Sequence, residues 1–160
     1  MKITARQIIK KESGFTLIEL LVVIGILAVL MGIVLVAINP SRQFNQANDA
    51  SRSNSIRQTL NAIGAYAADH KGTLPTALGT SANWPIAATE IGDGSGQLNI
   101  CGDLVPTYIS ALPEDPAVNN GAAITSCTGY DAGFQAAVDA SGRVTISAPH
   151  AAYGPISVTR

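Results

Sequence analysis

The stretch from Phe15 to Ile38 constrains this chain most. It is 24 residues of almost unbroken apolar sequence, with one acid, Glu19, near its start. At about 1.5 Å per helical residue it reaches roughly 36 Å, enough to cross a hydrocarbon core of about 30 Å with some tilt. An acidic side chain deep in hydrocarbon costs roughly 2.5–3.5 kcal/mol and usually marks a contact that matters. Glu19 therefore calls for a partner.

Charge orients the segment. Before it stand Lys2, Arg6, Lys10 and Lys11 against Glu12, so residues 1–14 carry a net +3 and the remainder −4. Positive charge on the N-terminal flank keeps that flank cytoplasmic and sends the C-terminal part across. The exported part is mildly acidic, which argues against nucleic acid as a partner. Its two cysteines, Cys101 and Cys127, read as one disulfide in an oxidising compartment, the alternative being two free thiols. At 160 residues there is room for one small globular head besides the span.

An ordinary cleaved secretory signal does not fit. The apolar run exceeds the usual core of about 7–15 residues and lacks a small-x-small site at its end. The small residue at a sharp boundary is Gly14, where charge gives way to apolar sequence. The string Lys10-Lys11-Glu12-Ser13-Gly14-Phe15-Thr16-Leu17-Ile18-Glu19-Leu20-Leu21 resembles the leader junction of type IV pilins and of type II secretion pseudopilins. The resemblance implies that a membrane-embedded prepilin peptidase cuts between Gly14 and Phe15 and methylates the new amine of Phe15. It also implies that Glu19 pairs with the N-terminal amine of a neighbouring copy during filament assembly. Leu104 to Pro116, with Tyr108-Ile109 and Leu112-Pro113-Glu114-Asp115-Pro116, is similar to a run found in the heads of the same proteins.

Inside the span, Gly25, Ala28, Gly32 and Asn39 fall within about 60° on a helical wheel, a stripe that admits close helix approach. Type IV pilins often have Gly where this chain has Ala28 and Pro where it has Val36. Pro40 either kinks a continuous helix or opens a new one behind Asn39, so a helix bend is expected there. Residues 41–55 are polar nearly all round. Ile56, Leu60, Ile63 and Ala67 then repeat at i, i+4, i+7 and i+11, one face of an amphipathic helix expected to end near Lys71-Gly72.

Residues 72–100 read as a loop-rich connection, with Trp84 as a core plug and Gly92 to Gly96 as a turn. Period-two alternation over Tyr130–Val138 and Val144–Ala148, around Asp139-Ala140-Ser141-Gly142, reads as a β-hairpin, and Ile156–Thr159 as a last short strand. The expected fold is α+β: a long N-terminal helix, transmembrane and then amphipathic, packed on a small C-terminal antiparallel sheet. Its parts are a leader (1–14), a span and filament-core helix (15–38), an amphipathic continuation (39–71) and a head (72–160).

His70 and His150 lie in no metal or catalytic pattern, and no nucleotide-binding or hydrolase motif appears. Asp115, Asn119, Asp131 and Asp139 could offer oxygens to calcium, as in some pseudopilin heads, but their spacing favours solvated acids and no metal or other cofactor is expected. The resulting expectation is a non-enzymatic filament subunit, held in the bacterial cytoplasmic membrane with its head outside. Its partners are further copies of itself, the prepilin peptidase/methyltransferase and the pilus or type II secretion assembly machinery. A type IV pilus-like filament is preferred to a periplasmic pseudopilus. A monomeric membrane-anchored binding module and an enzyme are the readings of other classes.

Overall fold

The computed structural model describes residues 14–160; the leader residues 1–13 lie outside the described residues. The chain divides into two compact units, 1–40 and 41–160.

In the first unit, helix α1 runs Leu17–Ile38. None of its residues is buried, and every large apolar side chain from Leu17 to Ile38 is half or more exposed. It is the one helix among the described residues long and apolar enough to cross a membrane. It stops because Asn39 takes the left-handed conformation, φ 47° and ψ 79°, which Asn tolerates better than most residues. Helix α2, Pro40–Asp69, opens on the proline, whose missing N–H costs nothing in a first turn. Of the two expectations for Pro40, the new helix holds. Asn39 itself is outside α1 and drops from the small-residue stripe.

In the second unit, α2 contributes Ile56, Leu60 and Ile63 to the core, the face that the periodicity predicts. It ends at Asp69, followed by left-handed Lys71 and Gly72, with the Gly72 N–H returning to the Ala67 carbonyl at 2.8 Å. Four strands, β1 Ile86–Gly92, β2 Asp131–Val138, β3 Val144–Ala148 and β4 Ile156–Thr159, form an antiparallel meander in the order β1-β2-β3-β4. Val138 pairs with Val144, and Ile146 with Val158. The buried residues of β2 and β3, with Phe134, Val138 and Ile146 the largest, share one core with α2. The fold is therefore α+β as expected.

Strand β1 corrects the loop expected over 72–100. Its sequence, Ile-Ala-Ala-Thr-Glu-Ile-Gly, carries little strand preference, and its ladder to β2 is broken by two irregularities of register. Pairing with β2 makes it a strand, a tertiary effect that local pattern does not encode. Trp84, expected as a core plug, sits at the margin, half-buried. Its indole N–H donates to the Leu78 carbonyl at 2.9 Å, and its six-membered ring covers Gly142, where φ is 80° and a Cβ would strike the ring. The Gly92–Gly96 turn is anchored: Asp93 accepts from the N–H groups of Gly129 and Tyr130. A short helix α3, Cys101–Leu104, starts at Cys101, which is bonded to Cys127 with Cα atoms 5.3 Å apart.

The polar stretch at the start of α2 holds the main surprise. Arg52 is buried and forks onto Asp115 with bonds of 2.8 and 2.9 Å, the two side chains being 5% and 0% exposed. Asp115 also accepts the Ala117 N–H, and its carboxylate lies 3.7 Å from His150 Nδ1. Asp49, one turn before Arg52, accepts from Arg52 and from the N–H groups of Ala152 and Tyr153. The network ties α2, the Pro113–Pro116 turn and the segment before β4 together. Gly133, at φ 69°, makes room for it, since a Cβ there would lie 2.8 Å from the Asp115 Cβ and 2.7 Å from the Val118 side chain. Asp115 is thus an interior ion-pair partner, which corrects its reading as a solvated acid.

A buried charge left without its partner is costly. Replacing Arg52 or Asp115 by Ala is expected to destabilise the head by about 3–5 kcal/mol, and the double replacement by less than the sum, in denaturant melts followed by near-ultraviolet circular dichroism. Burial opposes ionisation of Asp49, but the Ala152 N–H, the Arg52 guanidinium and the Tyr153 N–H outweigh it and hold its carboxyl below the ordinary 3.8. A depressed carboxyl stabilises the fold above its unfolded value, and that stabilisation is lost as pH falls through the folded value. The melting midpoint is therefore expected to drop on acidification below 3.8, and Asp49→Asn to flatten the drop.

Candidate processing and assembly site

Gly14, Phe15 and Thr16 precede the first turn of α1, outside any regular element and exposed; Phe15 is 83% exposed. Among the described residues, nothing lies within 4 Å of where a Cβ on Gly14 would project. An accessible, non-helical peptide is what a hydrolytic enzyme needs to grip, because a helical one has its backbone groups already bonded.

Thr16 is the N-cap of α1, in extended conformation at φ −80° and ψ 152°. Glu19, three residues on, completes a capping box. Its N–H donates to Thr16 Oγ1 at 3.3 Å, while its Oε2 accepts from the Thr16 N–H at 2.9 Å and from the Thr16 hydroxyl at 2.8 Å. Two of the helix's open N-terminal donors are satisfied in this way, and the negative charge sits where the helix dipole favours it. The expectation that Glu19 requires a partner is thus met first inside its own chain. The sequence carried the sign, since Thr16-Leu17-Ile18-Glu19 is the T-x-x-E pattern that precedes an apolar helix.

A carboxylate has acceptor capacity for about four hydrogen bonds, and Thr16 uses two at one oxygen of Glu19. The group is therefore held in place by Thr16 with capacity left over for an added donor. Two residues separate it from Thr16 and a further one from Phe15, so an amine at Phe15 would lie at the same helix end. Around the site stand Phe15, Leu17, Ile18 and Leu20, all more than half exposed. Leu21, Val22, Gly25, Ile26, Val29 and Leu30 line a shallow apolar furrow further along α1.

The remaining residues singled out from sequence do not gather here. Cys101 and Cys127 are joined within the head, and Asp139 pairs with Arg143 at 2.8 Å. His70 stacks on Tyr66 with ring centroids 3.9 Å apart and shares a 2.8 Å contact with the Tyr66 carbonyl. Asp115 belongs to the Arg52 pair, so the four oxygen-bearing residues form no common set; among the described residues no group of three or more His, Cys, Asp or Glu is placed to hold a metal. Asn119 and Asp131 do share an open cavity with Glu114.

No curated protein and no solved structure matches the chain. A family model matches over Lys10-Lys11-Glu12, the Gly14-Phe15 boundary, the Thr16–Glu19 box and most of α1. Residues 9–35 carry the prokaryotic N-terminal methylation motif, which is the prepilin leader signature of type IV pilins and pseudopilins.

Proposed function

We propose that the chain is the precursor of a structural subunit of a type IV pilus-like filament, cut between Gly14 and Phe15 and methylated at Phe15. The observation that carries this reading is α1, an apolar helix with no buried residue and one acid fixed at its first turn. Such a helix has to be covered, by lipid before assembly and by α1 of other copies afterwards. Removal of the leader strips four basic residues and creates an α-amine whose usual pKa of about 7.7–8.0 leaves it mostly cationic at neutral pH. In a stagger of parallel helices, the amine of an incoming copy meets the Glu19 carboxylate of its neighbour. In low-dielectric surroundings the pairing of two such charges far outweighs its value in water. Thr16 keeps the carboxylate aimed at the helix end, so the new contact adds to the cap rather than replacing it.

Mass spectrometry of the mature N-terminus is expected to find methylated Phe15; a chain still starting at Met1 contradicts the processing step. Glu19 variants separate charge from capping. Glu19→Gln retains the hydrogen-bonding half of the box and removes the charge, whereas Thr16→Val removes the box and keeps the charge. The proposal expects Glu19→Gln to abolish sheared surface filaments as Glu19→Ala does. Thr16→Val loses the cap, worth about 0.5–2 kcal/mol, and lowers the yield in part. Filaments of wild-type abundance from Glu19→Ala would sink the filament reading in favour of a membrane-anchored monomer.

A further inference from the structure

Two surfaces of the head are each left short of a partner, and their shortages are opposite. On the first, Arg57 of α2 is exposed and makes no hydrogen bond or ion pair among the described residues. Beside it Arg160 donates to a neutral acceptor, Asn61 Oδ1, at 2.7 Å. The two arginines line one groove of about 390 Å³ with Leu60 and Val158, along β4, the strand at the margin of the sheet. Arg52 and Arg143 are engaged differently: Arg52 is buried on Asp115 and Arg143 is paired with Asp139.

The second surface is a cavity of about 410 Å³ around the turn that follows Asp115. Glu114 and Asp131 line it, with the side chains of Asn119, Thr125, Ser126 and Thr128, and no basic residue is among its lining residues. Glu114 is only 7% exposed, and its Oε2 is buried without a hydrogen-bond partner. Burial, with the charge of Asp131 adding to it, pushes its carboxyl above the ordinary carboxylate range, against the opposing hydrogen bonds from the Ala122 N–H and the Asn119 side chain. A buried carboxyl oxygen with no donor is a standing cost at the wall of the cavity. Asp131 spends Oδ1 on the Gly133 N–H at 2.8 Å but is otherwise exposed at the cavity rim.

We propose that the Arg57 guanidinium of one copy enters the Glu114–Asp131 cavity of a second copy, making this the head-to-head contact of the assembled subunits. A planar five-donor cation suits a site lined by two carboxyl-bearing residues and several hydroxyl and amide oxygens. The groove and the cavity share no residue, so a copy engaged through its groove can still accept the Arg57 of a third copy in its cavity. Used head to tail in this way, the contact is heterologous and repeats from copy to copy along a filament. It rests on the filament reading above and supplies a second linkage outside α1.

The test uses the full-length chain. In sheared filaments of Arg57→Lys, a carbodiimide activates a carboxyl, the new amine displaces the urea, and an amide joins the two residues. Mass spectrometry is expected to find position 57 joined to Asp131 or Glu114 of another copy, and a join only to other carboxylates overturns the contact. Arg57→Glu is expected to lower filament yield about tenfold or more, and Asp131→Asn, which keeps the bond to Gly133, to lower it several-fold. Combining Arg57→Glu with Asp131→Arg is expected to restore yield, with formation of the Cys101–Cys127 bond as the folding control. Wild-type yield from Arg57→Glu overturns the contact while leaving the filament reading intact. If in addition Arg57→Glu weakens pelleting on phosphatidylglycerol vesicles, the groove faces an anionic membrane. Absence of oligomers from the wild type in both filaments and membranes removes the filament reading and this contact with it.

Discussion

An apolar helix that its own chain does not cover sets the terms for everything else in this molecule. Each large side chain of α1 gains about 1.5–3 kcal/mol on leaving water, and nearly all of them from Leu17 to Ile38 are more than half exposed. The second unit, residues 41–160, is already packed around a core of its own. The α1 surface must be met by lipid or by identical helices, and the one polar group on it then becomes the natural carrier of register. Hydrocarbon packing has no preferred stagger, whereas a single carboxylate near one end does.

The head solves a smaller version of the same problem. Its apolar core accounts for the sheet and for one face of α2, but not for the polar first half of that helix. There the Arg52–Asp115 pair does what apolar side chains do further along, fixing α2 against the turn before Gly121 and, through Asp49, against the segment leading into β4. Replacing such a pair by apolar groups often leaves stability unchanged, so its value lies in geometry: a planar fork accepts one orientation of a carboxylate, where leucines would accept several. The disulfide from Cys101 to Cys127 then closes the loop that carries Glu114 and the cavity beside it.

What was legible from sequence followed the strength of local pattern. The span, the Ile56–Ile63 face and strands β2 and β3 repeat with clear periods, and those segments form as their periods dictate, while the short β4 at Ile156–Thr159 was read without such a period. Strand β1 was illegible because Ala87, Ala88 and Glu90 become a strand only by pairing with β2. Arg52 was illegible for a related reason. Its partner is 63 residues away, so a polar stretch destined for the interior looks the same as one destined for solvent. The Thr16–Glu19 box belongs to neither case, since its spacing was plain and was obscured only by the stronger question of what the acid meets outside the chain.

The Thr16–Glu19 box changes that question. A carboxylate free to rotate would have to be ordered at the moment of assembly, at a cost in side-chain entropy that a Glu carries in full. Held by the Thr16 hydroxyl and N–H, it is already ordered in the precursor, and the helix end it faces is the end at which an amine at Phe15 would appear. In the proposed filament the capping bonds would therefore work with the intermolecular pair and not against it. They fix the acceptor and stabilise the first turn of α1 within the chain itself, and leave the charge for the cation that the proposed assembly would supply.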